Sequence, residues 1–316
     1  MMTDKITICI PTYNRKHRIV NAIESLLNQT YSNFEIVICD NASTDDTKSI
    51  LNYFQDKRIR YVYFDEHLTV NYSFIRALNQ ANSEYICLFH SDDWYYPDII
   101  EKGIKYLKNQ NVGAVFTLIN QVHDRESIAL IPERDEKYTI DIFDYKKYLK
   151  MAMMTVGPGL NCPTFMTKKS VLEKVGILKK QDSMISDMSF WLAIVKQYDI
   201  IRINTACMNY FISEEQLSSK IFNNGHSVVA PSYILIDNEI NMLSFFKKMK
   251  YFPQLIKYKY KRAKEFVRVN RLRNKLNMKK YNFLYFIIQN KPFTTNSLAL
   301  SENDYLDKLY KINKDC

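Results

Sequence analysis

Lys5-Ile-Thr-Ile-Cys-Ile-Pro-Thr-Tyr-Asn-Arg15 is the stretch on which the fold turns: a short apolar run that stops abruptly in polar residues. A run of that length suits a strand buried on both faces. Residues 16–28 then place Ile19, Ile23, Leu26 and Leu27 at helical spacing, and Phe34 to Cys39 forms a second apolar run. Ser43, followed three residues later by Asp46, predicts a helix start with acid in its first turn, and Ile50, Leu51 and Phe54 make that helix's inner stripe. Ile59 to Phe64 predicts a third strand, residues 70–81 a third helix through Val70, Phe74, Ala77, Leu78 and Ala81, and Tyr85 to Phe89 a fourth strand. This βαβαβαβ order predicts a parallel sheet with helices on both faces, whose ligands bind beyond the carboxyl ends of the strands.

The residues at those ends are therefore the candidates for chemistry. They are Pro11-Thr12-Tyr13-Asn14-Arg15, then Asp40-Asn41, then His90-Ser91-Asp92-Asp93-Trp94. No glycine-rich dinucleotide or phosphate loop is present, so a nucleotide diphosphate would need a cation to neutralise it, which Asp92 and Asp93 could hold. In an extended segment neighbouring side chains point to opposite sides, so the two aspartates can divide the work: one on a divalent ion, the other on a ribose hydroxyl or a water. Oxygen ligands of this kind suit Mg²⁺ or Mn²⁺. The competing reading makes Asp92 and Asp93 the cap of a helix that starts near Pro97 and carries Ile100, Ile104 and Leu107.

Composition removes several classes. With 47% hydrophobic and 25% charged residues, the 316-residue chain is neither disordered nor a disulfide-dense miniature. Its six cysteines are scattered, with no zinc-ligand spacing, which predicts reduced thiols. Pro11 to Arg15 interrupts the early apolar run and no stretch of about 18 apolar residues occurs, so neither a secretion signal nor a membrane-spanning segment is expected.

Charge is uneven: residues 221–316 hold 18 Lys and Arg against 7 Asp and Glu, while residues 1–220 hold 26 against 27. Two parts are expected, an α/β domain over 1–220 and a helical, basic region over 221–316. Between Lys247 and Lys280, 14 basic residues face one acid, Glu265, and an aromatic run, Tyr281 to Ile288, follows. A basic amphipathic segment with apolar residues beside it fits an anionic membrane surface through residues 247–288; a solvated face, a partner protein or a second copy compete, and nucleic acid is disfavoured. With reduced thiols, the expected location is cytoplasmic.

Three pieces, Ile10-Pro-Thr-Tyr-Asn-Arg15, Val37-Ile-Cys-Asp-Asn-Ala-Ser-Thr-Asp-Asp-Thr47 and Ser83-Glu-Tyr-Ile-Cys-Leu-Phe-His-Ser-Asp-Asp-Trp-Tyr-Tyr-Pro97, resemble the motifs of a bacterial family 2 glycosyltransferase with a GT-A fold. Lys169-Ser-Val-Leu-Glu-Lys-Val-Gly176 and Ser186-Asp-Met-Ser-Phe-Trp-Leu192 continue the likeness in the family's order, over roughly residues 4–218. The resemblance implies an α/β fold with a mostly parallel central sheet and an inverting transfer of a sugar from a UDP-type donor to a hydroxyl of a glycan or lipid-linked acceptor; it makes residues 1–220 the nucleotide-sugar-binding and catalytic domain and places the chain as a peripheral protein at the inner face of the cell membrane. It implies that Pro11, Thr12, Tyr13 and Asn14 line the nucleotide pocket, that Asp40 holds the base, and that Ser91 and Asp92 serve the donor. Asp92 and Asp93 would carry Mn²⁺ or Mg²⁺, Asn71 and Arg76 would be donor-side polar residues, and Asp187 would be the catalytic base. From the residues alone, Asp187 also reads as the N-cap of a helix carrying Met188, Trp191, Leu192 and Val195.

Three departures from the family pattern stand out. His90 sits where an aspartate is common, which weakens the hard-ligand set. Ser186 replaces an acid, and Phe211 and Ser213 stand where an Arg and a His usually approach the diphosphate, leaving Lys220 or a tail residue as a substitute. Residues 113–166 are expected to build the acceptor side, with Ala114 to Ile119 a strand and Gly157 to Gly159 and Asn161 to Pro163 a turn-rich loop. The competing functions are a non-catalytic scaffold of the same fold and a metal-dependent nuclease or nucleotidyltransferase.

Overall fold

The computed structural model describes residues 4–123, 127–134, 137–155, 159–179 and 187–212, with a few positions between 236 and 258. The chain divides into two compact units, one of residues 1–145 and 159–212, the other of residues 146–158 and 213–316.

In the first unit β1 (Ile6–Thr12), α1 (Ile19–Leu27), β2 (Phe34–Asn41), α2 (Thr47–Leu51), β3 (Ile59–Phe64), α3 (Val70–Leu78) and β4 (Tyr85–Leu88) follow the expected alternation. All seven residues of β1 are buried, which is why it reads as an unbroken apolar run rather than an alternating one. Its Ile6, Ile8 and Ile10 join Ile36 and Ile38 of β2 and Ile19, Ile23 and Leu26 of α1 in one core; each buried isoleucine contributes about 2 kcal/mol. Ile75, Ala77 and Leu78 of α3 are also buried, and that helix packs on β1 and β2.

The second half of the sheet is built differently. After β5 (Trp94–Tyr95), α4 (Ile99–Leu107) and β6 (Val112–Val122) come β7 (Ile140–Phe143), α5 (Tyr145–Thr155), β8 (Phe165–Lys168), α6 (Lys169–Lys174), α7 (Asp187–Val195) and β9 (Asp199–Phe211). Among the described residues nine strands form one sheet in the order β3-β2-β1-β4-β8-β6-β9-β5, with β7 also on β9. β8 runs antiparallel to both β4 and β6, and β9 antiparallel to β5 and β7 but parallel to β6. The result is a mostly parallel mixed sheet, with β1, β2, β3, β4, β6 and β9 running one way and β5, β7 and β8 the other. Gly103 allows α4 to lie tightly on β8, since a Cβ there would collide with the Met166 thioether.

The helix start expected at Ser43 forms in another way. Asp46 occupies the N-cap position of α2 without a side-chain cap bond, while Asp45 Oδ1 accepts from Thr47 N at 3.0 Å. Asp92 and Asp93 do not cap the next helix, because β5 intervenes and α4 begins after Asp98. Gly157, Pro158, Ser186, Ser213, Lys220 and most of residues 247–288 lie outside the described residues. In the second unit, Tyr148, Leu149, Ala152 and Met153 make a buried stripe along α5. No helix among the described residues is long and apolar enough to cross a membrane.

Candidate active site

Register brings the candidate residues to one edge. β1 and β2 pair so that Thr12 lies beside Asp40, and β4 pairs with β1 up to Cys9 and Leu88, with Phe89 N donating to Cys9 O at 3.0 Å. The segment from His90 to Asp93 therefore leaves the sheet at the same carboxyl edge as Thr12 and Asp40.

Asp40 is fully buried and held at both oxygens: Ser43 N donates to Oδ1 at 2.8 Å and the Tyr61 hydroxyl to Oδ2 at 2.7 Å. Burial first, then the bond to Asp40, pushes the Tyr61 phenol well above its usual pKa. Pro11 and Thr12 are buried, and the Thr12 hydroxyl oxygen is buried without a hydrogen-bond partner. Asn14 adopts a positive φ of 50°, which Asn tolerates better than most residues, and this turns its side chain onto the loop after β2. Its Oδ1 accepts from Thr44 N at 2.8 Å and its own N donates to Ser43 Oγ at 2.9 Å, tying the two loops together.

Asn41 organises the neighbouring loop. Its amide donates to Leu68 O at 2.7 Å, and its Oδ1 accepts from Leu68 N at 3.0 Å and from Arg76. His67 packs on the half-buried Tyr13 with the two rings tilted by 50° and their centroids 4.2 Å apart. Arg76 also donates to Glu66 O at 3.0 Å and lies over the Phe64 ring at 4.0 Å, so its named partners brace the 64–68 segment. Asn71 is half-buried in the first turn of α3.

Around the acidic segment, Ser91 is buried and Asp92 stands 3.8 Å from Arg15 Nε and 3.7 Å from Arg18 Nη1. Arg18 lies over the Phe211 ring at 5.5 Å. The chain thus sets two guanidinium groups at this cluster from the start of α1, although it has Phe211 at the end of β9. Asp93 is fully buried; Phe211 N donates to its Oδ1 at 3.1 Å, while Oδ2 has no hydrogen-bond partner. Burial first, then the Asp92 charge, raises the Asp93 pKa well above the usual carboxylate value, against the pull of Phe211 N, Arg15 and Arg18.

His90 Nδ1 lies 4.0 Å from Asp93 Oδ2, and its Nε2 is buried and unpaired. Burial lowers the imidazole pKa, opposed by Asp92 and Asp187. Asp187 is the first helical residue of α7 and exposed, and its charge acts on both His90 and the buried Cys162. α7 is anchored by Trp191, whose ring packs against Phe116 and Phe165 with both centroids at 4.6 Å.

One ligand atom from each of His90, Asp92 and Asp93 can be chosen so that all lie within 4.8 Å of one another. Two carboxylates, one of them with a buried oxygen that has no partner, and an imidazole make a donor set that fits a divalent cation. Sequence reasoning found the carboxylates but missed Tyr61, Arg18 and His67. Tyr61 is visible only as one residue of a strand, and Arg18 only as one of several basic residues before a helix.

The family model of glycosyl transferase family 2 matches residues 7–176, more than half of the chain, and the chain belongs to that family. It is a glycosyltransferase of GT-A fold. It is 26% identical over 223 residues to the Escherichia coli UDP-Glc:alpha-D-GlcNAc-diphosphoundecaprenol beta-1,3-glucosyltransferase WfgD, covering 69% of this chain and 81% of that one. Its fold matches Staphylococcus aureus TarS 1–349 in complex with UDP at a TM-score of 0.58 and 20% identity, covering 98% of this chain and 88% of TarS 1–349. It also matches the Pyrobaculum calidifontis mannosyltransferase PcManGT in complex with GDP-Man and Mn²⁺ at 0.57 and 14%, covering 99% and 87%.

Proposed function

We propose that the protein is an inverting hexosyl- or N-acetylhexosaminyltransferase that moves a sugar from a UDP-sugar to a hydroxyl of a lipid-linked glycan in cell-surface polysaccharide synthesis. The observation that most supports this is the convergence of His90, Asp92 and Asp93 at the sheet edge that carries Thr12 and Asp40, with the Asp187 charge acting on His90. The names of WfgD and of the UDP-bound TarS support the donor and acceptor classes.

In this reading Pro11 to Asn14 and Asp40 hold the uridine, and Ser91 and Asp92 meet the ribose and diphosphate. Asn71 and Arg76 close the donor side, Arg76 through the 64–68 segment that it braces. Asp92 and Asp93, with His90 beside them, would hold Mn²⁺ or Mg²⁺, which when bound stabilises the charge growing on the diphosphate. Asp187 accepts the acceptor's hydroxyl proton while the acceptor oxygen bonds to the anomeric carbon. The bond from that carbon to the diphosphate breaks and UDP leaves. Asp187→Asn is expected to keep UDP binding and to lose transfer by about 10²- to 10⁴-fold; undiminished turnover would remove Asp187 from the mechanism.

The basic stretch between Lys247 and Lys280 and the aromatic run after it would bring this chain to the anionic inner face of the membrane, as befits a lipid-linked acceptor. Flotation with anionic liposomes is expected for the intact chain and not for one cut near Ile221; equal flotation of the two would defeat that placement.

A further inference from the structure

Resting on the cation-assisted donor binding proposed above, we infer that His90 is a nitrogen ligand at the cation site and gives it a preference for Mn²⁺ over Mg²⁺. Three observations converge. His90 offers a ring nitrogen within the same 4.8 Å cluster as the carboxylates of Asp92 and Asp93. Its Nε2 is buried with no hydrogen-bond partner, and its Nδ1 is 4.0 Å from Asp93 Oδ2, beyond hydrogen-bond reach. Asp93, with a side chain of 0% exposure, likewise keeps Oδ2 without a partner. Two neighbouring side chains thus leave buried polar atoms unmatched at one place, where native interiors normally match them.

The ring is held there by its backbone and its neighbours. His90 N donates to the Tyr95 hydroxyl at 2.6 Å, Tyr95 returns a bond to His90 O at 3.3 Å, and the Phe74 ring lies 5.4 Å from the imidazole. An imidazole in place of a carboxylate changes the chemistry of the set. Mg²⁺ favours oxygen ligands and sheds water reluctantly, whereas Mn²⁺ accepts a mixed nitrogen and oxygen set and stands at the start of the divalent series whose affinity for nitrogen sites rises. His90 would thus act against the more abundant ion without excluding the carboxylates' role.

The test needs no turnover. Mn²⁺ is added to the full-length protein with UDP and followed by electron paramagnetic resonance. The wild type is expected to show electron spin echo modulation from a directly bound histidine nitrogen, altered by ¹⁵N-histidine labelling and lost in His90→Asp. The Mg²⁺ concentration that displaces half of the Mn²⁺ is expected to fall about tenfold in His90→Asp, as an all-oxygen set would give. Mn²⁺ bound with UDP but without nitrogen modulation in the wild type overturns the inference and leaves the donor reading standing, and that measurement does not depend on how the variant folds. Unchanged Mg²⁺ displacement in a normally folded His90→Asp also overturns it. If UDP brings no Mn²⁺ to the wild type at all, the donor reading falls and this inference with it.

Discussion

Replacing Asp93 with Asn should make the ligand-free protein more stable and the ligand-bound protein less so. Asp93 is fully buried, its Oδ2 has no hydrogen-bond partner, and Asp92 adds like charge nearby. A buried unsatisfied polar group costs about 1–3 kcal/mol, and more when charged. Arg15 and Arg18 offset part of that cost. Asn retains an oxygen for Phe211 N, now 3.1 Å from Asp93 Oδ1, and removes the charge. The net expectation is a gain of about 1–2 kcal/mol near neutral pH, or a few degrees in melting temperature. The pH dependence has a definite sign. Because the folded pKa lies above the unfolded value of 3.8, the native state binds the extra proton, and wild-type stability falls as pH rises through the folded pKa. The advantage of Asp93→Asn should therefore vanish below about pH 4 and grow above it. With UDP and Mn²⁺ at about 100 times the dissociation constant, the wild type should gain about 2.7 kcal/mol and the variant nothing, reversing their order. Thermal unfolding across pH, with and without the two ligands, measures all of this. A variant less stable than wild type in the absence of ligand, or one still stabilised by UDP and Mn²⁺, would refute the reasoning.

Other outcomes can be checked in parallel. Tyr61→Phe removes one of two donors to the buried Asp40 carboxylate and should cost about 1.5–3 kcal/mol in urea unfolding, with UDP affinity falling as well; a loss under 0.5 kcal/mol would mean, by the same range, that the bond is not formed in solution. Asp56, chelated by Arg58, has its pKa lowered to about 2. This contributes stability present above the unfolded value of 3.8 and lost as pH falls toward 2. Asp56→Asn should therefore lose about 1 kcal/mol at pH 7 after solvent screening, and less as the pH drops; a pH-independent difference would point to packing instead. Arg18→Met should weaken UDP binding more than it weakens folding, because its guanidinium is one of the two beside Asp92. Equal UDP affinity in Arg18→Met would assign that charge to Asp92 alone.

The readable part of the fold was the part stabilised by local pattern. β1, β2 and β4 are buried on both faces and show as apolar runs, and α1 and α3 show as spaced stripes. The later strands do not show in this way. β9 interleaves Arg202, Asn204 and Asn209 with its apolar residues, and each is matched by a distant group: Arg202 by Asp141 at 2.7 Å, Asn204 by Thr139 at 3.1 Å, Asn209 by Tyr96 at 2.5 Å. Such partners lie 61 to 113 residues away in sequence, so polarity in that stretch reads as loop until the sheet is assembled. The same reasoning divides the site. Asp40 lies at the end of β2, and Asp92 and Asp93 lie just beyond β4, so the three were legible as a group, whereas the bond from Tyr61 to Asp40 and the approach of Arg18 to Asp92 depend on neighbouring elements that only folding brings together. The β-strand pairing also explains how Asp93 gains its hydrogen bond: β5 pairs Trp94 with Asn209, which brings Phe211 N to the Asp93 carboxylate.

The most direct measurement is anomalous diffraction at the manganese edge from crystals of the protein grown with UDP and Mn²⁺. One peak within bonding distance of the Asp92 and Asp93 carboxylates, with the pyrophosphate against it and the uracil beside Asp40, is the result expected here. Uridine bound elsewhere, or manganese with no carboxylate from this segment in its coordination sphere, would contradict it.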